Sequence, residues 1–419
     1  MNQRRAFFVL YSLPVVLFLT GVVLAAPHEL LNGLLAIVTS RSLLLTDYLA
    51  VGGSAATLVN AGLCGLVAVT LLRRNGVQAN GPFIAAVYTV VGFAFFGKNI
   101  FNIWPILTGV FLYTRVQGIP FRNSLLVALF GTTLSPLVSF FTFVADIPFA
   151  GGLFLGVVLG IAVGFVLPPL ASHMLRFHDG YNIYNIGFTG GIVGSFFVAV
   201  IRSFGFEIVP EVALLATDSR FFEWYFTVLF LLLIALGLYL SHGEYRQLGV
   251  SLRRILGSTG RLVSDFVQIG DFASTFVNMG IMGLIASGFV LLLGGEFNGP
   301  VIGAILTVVG FAAFGKHPAN TVPVLVGVIL GSLVKIWDPS ATTVIIAGLF
   351  ATTLAPISGQ YGPFAGVLAG FFHLSIVHNV GVLHGGINLY NNGFAGGFVA
   401  SFLSPIFEAF STREAKREE

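Results

Sequence analysis

The fold is decided by residues 80–110, NGPFIAAVYTVVGFAFFGKNIFNIWPILTGV, because they recur without a gap at residues 298–328, NGPVIGAILTVVGFAAFGKHPANTVPVLVGV, with 19 of 31 positions identical. A second pair of stretches, 178–197 and 384–403, agrees at 12 of 20 positions. Self-similarity at a long and nearly constant spacing indicates a duplicated structural unit. The sequence therefore predicts two copies, 1–218 and 219–410, followed by a charged cytoplasmic tail at 411–419.

The composition places both copies in a membrane. Of the 419 residues, 56% are hydrophobic and only 9% are charged, whereas a soluble domain carries about 25% charge. Several uncharged stretches are long enough to cross a hydrocarbon core of ~30 Å as helices. They are 6–27, 123–145, 180–201, 272–295 and 385–407. Soluble enzymes, nucleic-acid-binding proteins and secreted disulfide scaffolds are therefore excluded, and Cys64 is the single cysteine.

Each copy is predicted to contain seven apolar segments. The first is a leading helix, at 6–27 in one copy and 222–241 in the other, followed by a short amphipathic piece near 29–47 or 247–265. The other segments of the first copy lie near 48–72, 81–97, 102–116, 121–145, 149–172 and 180–201. An odd number of crossings inverts the second copy relative to the first. We therefore predict an all-α polytopic membrane protein with two inverted structural repeats and broken or half-length helices.

The basic residues agree with this topology. If Arg4 and Arg5 are cytoplasmic, alternation places most other basic residues on the same side, as the positive-inside rule requires. The residues predicted to be cytoplasmic are Arg73, Arg74, Arg115, Arg122, Arg176, Arg246, Arg253, Arg254, Arg261, Lys316, Arg413, Lys416 and Arg417. The residues predicted to lie outside are Arg41, Arg202, Arg220 and Lys335. Both termini are thus expected in the cytoplasm.

Two kinds of segment in each copy are poor continuous helices. Residues 96–109 and 314–327 combine Gly-Lys with Asn and Pro, which favours a helix that begins within the membrane after an Asn cap. Residues 180–191 and 386–397 contain Asn-x-Tyr-Asn-x-Gly, a sequence of low helix propensity. A half-helix that begins at such a break directs the positive end of its dipole toward a cavity.

The polar residues at these breaks are the candidate solute-binding residues. A path between the repeats is predicted to be lined by Asn102, Asn182, Tyr184, Asn185, Asn320, Asn388, Tyr390, Asn391, Lys98 and Lys316. The alternative for the Asn residues is hydrogen bonding between packed helices. For the two lysines the alternative is a side chain that snorkels to the membrane surface.

Other polar residues are assigned structural roles. Asp47 and Asp265 are expected at the membrane interface, and His178 and His384 at solvated loop ends. The threonine pairs 132–133 and 352–353 are expected to satisfy backbone groups freed by the following proline. The sequence has no phosphate-binding loop, nucleophile elbow or catalytic carboxylate pair. No carboxylate stands at metal-ligand spacing from the histidines at 173, 373 and 378.

These stretches resemble two known groups of proteins. The whole chain resembles an uncharacterised bacterial membrane family with two tandem copies of a domain of unknown function, through Gly-x-Asn-x-Tyr-Asn-x-Gly-Phe-x-Gly-Gly at 180–191 and 386–397. The repeat plan is also similar to the urea-transporter fold, which the membrane subunits of the Rnf complex and the sodium-pumping NADH:quinone oxidoreductase share. Residues 96–109 and 314–327 are similar to the Asn-rich turn of the redox subunits, and 59–66 and 277–284 to a urea-transporter segment.

The resemblance carries limited functional information. The Leu-Pro-x-x-Thr-x-Pro-Phe signature of urea transporters is absent, and so is the Ser-Gly-Ala-Thr-like stretch that carries flavin in the redox subunits. Through these families the resemblance implies a bacterial cytoplasmic membrane, and through the urea transporters it implies a homotrimer. It names no solute.

The sequence therefore predicts a channel or facilitative transporter for a small polar solute, neutral or anionic. No cofactor, metal, nucleic acid or enzymatic activity is expected. The shortage of acidic residues within the spans argues against cation selectivity and proton coupling. Two alternatives stay open, namely a membrane redox subunit that binds flavin or quinone, and a scaffold subunit that transports nothing.

Overall fold

The computed structural model describes residues 3–208, 214 and 220–418, with side chains as far as residue 410. The regular structure of these residues is helical, and two isolated bridges join Asp47 to Phe96 and Asp265 to Phe314. The prediction of an all-α protein is therefore confirmed. The predicted boundary between 218 and 219 lies outside the described residues, as do the charged side chains of the predicted tail at 411–419.

The first repeat consists of a leading helix, a short helix, a long helix, two half-length helices, a bent span and two further long helices. In order they are α1 (Gln3–Leu24), α2 (Pro27–Thr39), α3 (Tyr48–Arg74), α4 (Gly81–Phe93), α5 (Ile103–Val116), α6 (Leu125–Gly131), α7 (Pro136–Phe143), α8 (Phe149–Leu175) and α9 (Asn185–Ser203). Short 3₁₀ turns at Phe121–Ser124 and Thr132–Leu134 flank α6. These bounds follow the predicted segments closely.

The second repeat has the same order. Its helices are α10 (Arg220–Leu240), α11 (Tyr245–Leu256), α12 (Phe266–Ile269), α13 (Phe272–Leu292), α14 (Gly299–Phe311), α15 (Pro318–Val334), α16 (Thr342–Ala351), α17 (Ala355–Tyr361), α18 (Pro363–Val380) and α19 (Asn391–Glu418). The twin of α3 is divided into α12 and α13, and α3 itself has non-helical backbone at Gly53, the equivalent position.

The protein is an integral membrane protein by the length and composition of its helices. Nine helices of the described part are apolar and long enough to cross a membrane, or ten if the bent pair Phe121–Leu134 and Pro136–Phe143 is counted as one span. Helices α4, α5, α14 and α15 are shorter, with 13 to 17 residues. At 1.5 Å per residue, a 13-residue helix reaches ~20 Å and does not cross the ~30 Å core by itself.

Twin helices pack against each other in opposite directions. Helix α4 lies along α14 so that Gly92 faces Gly303, while Gly310 faces Ala85 and Tyr88. The pairing is close, since a Cβ atom on Gly92 would lie 2.7 Å from the carbonyl oxygen of Gly303. The C-terminal end of each helix thus lies beside the N-terminal half of its twin. The two-fold axis that relates the twins is therefore perpendicular to the helices. This is the geometry of inverted repeats.

Two buried aspartates, one in each repeat, accept hydrogen bonds from the backbone of the opposite repeat. Oδ1 of Asp47 accepts a hydrogen bond from the backbone N–H of Gly299 at 3.1 Å, and Oδ1 of Asp265 accepts one from Gly81 at 3.0 Å. Each aspartate also caps the helix that follows it. Both side chains are buried between the repeats, and their depth at the membrane interface stays a prediction. A carboxylate that accepts N–H groups from two helix starts stabilises both of them.

The breaks in the helices lie at the predicted positions. An asparagine stabilises each of the two breaks that follow α4 and α14. The amide of Asn60 donates to the carbonyl oxygens of Ala94 and Lys98, at 2.8 and 2.9 Å. Its twin Asn278 donates in the same way to the residues that follow α14. These bonds satisfy carbonyl groups that α4 and α14 leave open at their C-terminal ends.

Candidate functional site

Four aromatic rings form a row across the two-fold axis, which we call the aromatic row: Phe93, Tyr390, Tyr184 and Phe311. Neighbouring ring centres are 4.6, 4.8 and 4.7 Å apart in that order. The two phenylalanines are the last residues of α4 and α14, and the two tyrosines immediately precede α9 and α19. The duplicated breaks therefore bring both predicted tyrosines together at the contact between the repeats.

A buried lysine stands at each end of the aromatic row. Nζ of Lys316 donates to the hydroxyl of Tyr184 and, at 2.6 Å, to the hydroxyl of Thr352. Nζ of Lys98 lies 4.9 Å from the ring centre of Phe93 and has no hydrogen-bond partner among the described residues. Both lysine side chains are completely buried. They do not snorkel, and Lys316 is not a cytoplasmic loop residue as the charge pattern predicted.

The two ends of the row thus differ although their sequences match. Tyr390, the twin of Tyr184, forms no hydrogen bond with Lys98 in the described part of the chain. Its hydroxyl lies 3.5 Å from that of Thr89 and also faces Thr307. A hydrogen bond of that length is weak. The structure therefore contains one closed lysine–tyrosine pair and one open pair.

Asn182 and Asn388 bind the opposite repeat rather than facing open space. Nδ2 of Asn182 donates to the carbonyl oxygen of Gly393 at 2.9 Å, and its Oδ1 accepts from the hydroxyl of Thr353 at 2.5 Å. Asn388 makes the twin contacts, to Gly187 at 3.2 Å and from Thr133 at 3.0 Å. We call each of these pairs an Asn–Thr clasp. The second threonine of each pair therefore serves the repeat interface, not the proline kink that was predicted.

Asn102 and Asn320 are likewise occupied by protein groups. Nδ2 of Asn102 donates to the carbonyl of Gly97 and to the hydroxyl of Ser139, at 2.9 and 3.0 Å. Nδ2 of Asn320 donates to the carbonyl of Gly315 at 2.9 Å. Helices α5 and α15 do begin at these breaks, but the predicted Asn caps are wrong: Asn102 makes no cap bond, and the cap of α15 is His317.

Asn185 and Asn391 pair with the histidines that precede them. Oδ1 of Asn185 is 3.1 Å from Nε2 of His178, and Oδ1 of Asn391 is 2.9 Å from Nε2 of His384. Both histidine side chains are buried. The expectation of solvated loop ends is therefore wrong, because each imidazole holds the first residue of α9 or α19 and so fixes the start of that helix.

A cavity of about 450 Å³ leads to the aromatic row from one side. Its outer part contains exposed residues such as Asn123, Ser172 and Val263, and its inner end is formed by Tyr184 and Tyr390. The first turn of α9, residues 185–187, also lines it. Of the ten predicted site residues, Tyr184, Asn185 and Tyr390 line this cavity, and Lys316 lies one hydrogen bond behind Tyr184.

The corresponding space of the second repeat is packed with side chains. Ser124, Pro168, Ala171 and Ser172 of the cavity wall correspond to Val344, Leu374, Val377 and His378. Val344, Leu374 and Val377 belong to a buried apolar cluster against which Trp337 packs, and the Trp337 ring stacks on His378 at 4.3 Å. The molecule is therefore open on one side of the aromatic row and closed on the other.

Sequence reasoning missed the phenylalanines of the row and the apolar wall of the cavity. Phe93 and Phe311 stand at equivalent positions of the repeat, so the duplication offered a signal for them. The apolar wall had no signal, because its residues are as typical of packed membrane helices as of a cavity. No group of three or more potential metal ligands is found within the described ranges.

A comparison with known families finds a match in each repeat. The family described as "Protein of unknown function (DUF1576)" matches residues 26–203 and 245–409. The two regions fall in the two repeats, which confirms the prediction of an uncharacterised domain in two copies. No curated protein and no solved structure matches the chain, so the similarity to the urea-transporter fold stays a prediction.

Proposed function

The chain belongs to the DUF1576 family, whose description assigns no activity, and from the geometry of its site we propose that it is a channel or facilitative transporter for a small solute. The solute passes between the two repeats along the aromatic row. It is polar, and either neutral or anionic. The proposal assigns the chain no catalysed reaction and no bound cofactor.

One observation carries the proposal, namely the cavity that ends on Tyr184 and Tyr390 at the contact between the repeats. Substrate sites of transporters built from inverted repeats lie at the repeat interface near the middle of the membrane, where helices are broken. The tyrosines stand at such breaks, one from each repeat. A scaffold without transport has no need of a cavity at that place.

The expected orientation follows from the basic residues. Arg122, Arg176 and Arg261 are exposed and adjoin residues of the cavity wall. Since basic loops remain in the cytoplasm, we propose that the cavity opens to the cytoplasm and that the N-terminus lies there too. A homotrimer, implied by resemblance to urea transporters, stays a prediction.

Flux into liposomes tests the proposed function. The purified protein is reconstituted and its permeability to urea, formamide, glycerol, acetate and nitrate is followed by stopped-flow light scattering. Flux of at least one solute above protein-free liposomes is expected. Absence of flux for all of them, with the protein monodisperse, refutes permeation of this panel. A visible absorbance spectrum in the purified protein would favour the redox alternative instead.

A single introduced cysteine tests the route. Replacement of the buried native thiol, Cys64→Ala, gives a background in which Ser172→Cys places a thiol in the cavity and Ser203→Cys places one on the exposed end of α9. A membrane-impermeant thiol reagent is expected to slow flux at least tenfold in the Ser172 variant and to leave the Ser203 variant unchanged. Equal sensitivity of the two variants would contradict the route.

A further inference from the structure

The chemistry of the cavity identifies a narrower class of solute. Resting on the proposed function, we propose that the protein binds and carries an organic anion with an apolar body. The acidic group of this solute lies beside Tyr184 and the first turn of α9. Its apolar body occupies the outer part of the cavity.

The cavity wall is mainly apolar. Aliphatic and aromatic side chains from α6 and α8 form much of it, together with Leu262 and Val263 from the loop before α12. The apolar wall residues of α6 and α8 are Leu126, Val127, Phe130, Pro168, Ala171 and Leu175. A volume of about 450 Å³ falls within the range of pockets that hold molecules larger than urea or nitrate. An apolar wall of this size gains free energy only from a solute that has apolar surface to bury.

The inner end of the cavity offers donors and positive partial charge. Residues 185–187 form the first turn of α9, whose N–H groups have no acceptor within the helix and lie at the positive end of its dipole. Tyr184, which also lines this end, accepts a hydrogen bond from Nζ of Lys316 through its hydroxyl. Such an arrangement suits an acceptor-only group such as a carboxylate or sulfonate.

The absence of acidic groups from the described wall of the cavity also favours an anionic solute. No acidic residue is found among the described residues of the cavity wall. No carboxylate is within hydrogen-bonding distance of Nζ of Lys98 or Lys316 among the described residues. Within the described part of the chain, an acidic group of the solute therefore meets no competing carboxylate beside the donors at the inner end of the cavity.

Exposed arginines lie close along the chain to residues of the cavity wall. Arg115, Arg122, Arg176 and Arg261 are exposed and each is within two residues of a wall residue. The positive-inside rule accounts for basic loops on one face of the protein. We expect these arginines to raise the local concentration of anions at this face by electrostatic attraction.

Matched probes test both halves of the proposal without any mutation. Benzenesulfonate carries a permanent negative charge and an apolar ring, benzenesulfonamide has nearly the same shape without the charge, and methanesulfonate has the charge without the ring. We expect the wild-type protein in detergent to bind benzenesulfonate at least tenfold more tightly than either of the others, by isothermal titration calorimetry. Equal binding of benzenesulfonamide refutes the anionic selectivity, equal binding of methanesulfonate refutes the apolar body, and no binding of benzenesulfonate refutes the proposal.

Two variants locate the binding site. Ser172→Phe fills part of the cavity and is expected to weaken benzenesulfonate binding at least tenfold, whereas His173→Phe, on an exposed neighbouring position outside the wall, is expected to leave it unchanged. Equal affinities of the two variants would place the binding elsewhere and overturn the proposal. Uptake of benzenesulfonate into liposomes is measured separately. Binding of benzenesulfonate without its uptake contradicts the proposed transport function and leaves the proposed solute class intact. Uptake of urea without binding of benzenesulfonate contradicts the solute class and leaves the transport function intact.

Discussion

The replacement Asn182→Ala discriminates between an asparagine that binds a solute and one that holds the repeats together. In the structure its amide joins Gly393 at 2.9 Å and Thr353 at 2.5 Å, both across the repeat interface and both buried. Truncation leaves the Gly393 carbonyl and the Thr353 hydroxyl without this partner. At about 1–3 kcal/mol for each buried polar group left unsatisfied, we expect the free energy of unfolding to fall by about 2–6 kcal/mol.

The measurement is unfolding in mixed micelles with increasing sodium dodecyl sulfate, followed by circular dichroism. Asn388→Ala, the twin, is expected to behave similarly, and Asn123→Ala, at an exposed position of the cavity wall, is expected to change the free energy by no more than ~0.5 kcal/mol. A double-mutant cycle of Asn182→Ala with Thr353→Val should give a coupling energy of about 1–2 kcal/mol. If Asn182→Ala abolishes flux while stability and coupling stay at wild-type levels, the clasp interpretation is refuted and Asn182 is a solute ligand.

Two further predictions use the same unfolding assay. Tyr184→Phe removes the hydroxyl that Lys316 contacts and is expected to cost about 0.5–1.5 kcal/mol, the usual net contribution of a hydrogen bond. Tyr390→Phe removes a hydroxyl that lies 3.5 Å from that of Thr89 and also faces Thr307, and it should cost less than ~0.5 kcal/mol. Equal costs would show that the two ends of the aromatic row are equivalent in solution. Gly187→Ala places a Cβ atom 2.9 Å from that of Tyr390 and should cost about 1–3 kcal/mol through overpacking, whereas Gly288→Ala meets nothing within 4 Å and should be tolerated. Matching stabilities of these two alanine variants would contradict the close approach of α9 to Tyr390.

The duplication made most of the architecture predictable from the sequence. Hydrophobic length identifies spans, and the repeated 31-residue stretch fixes which segments are twins, so the helix order and the breaks before α5, α9, α15 and α19 were within reach. The burial of Asp47 and Asp265 between the repeats could not be predicted from the sequence. Their partners are backbone N–H groups of the other repeat, which no side-chain pattern records, so a charged residue beside an amphipathic piece favoured the membrane interface.

The candidate site shows why a doubled motif does not reveal its own role. A solute ligand and a structural clasp are duplicated alike, so the occurrence of Asn182 and Asn388 at equivalent breaks supports both readings equally. A structural clasp differs from a solute ligand in having a second duplicated motif elsewhere in the chain as its hydrogen-bond partner. The threonine pairs at 132–133 and 352–353 were such a partner, since an interface related by a two-fold axis requires every contact from one repeat to the other to occur twice.

The difference between the two ends of the aromatic row cannot be predicted from the duplicated motifs. Lys98 and Lys316 occupy identical Phe-Gly-Lys sequences, yet only Lys316 contacts a tyrosine, and only its side of the row adjoins the cavity. The surrounding walls differ in sequence, with Trp337 and His378 stacked where the first repeat has open space. Equivalent local sequences thus adopt two arrangements because their neighbours do not match. A transporter whose halves exchange these arrangements would expose the same row alternately to each side of the membrane, as transporters with inverted repeats do.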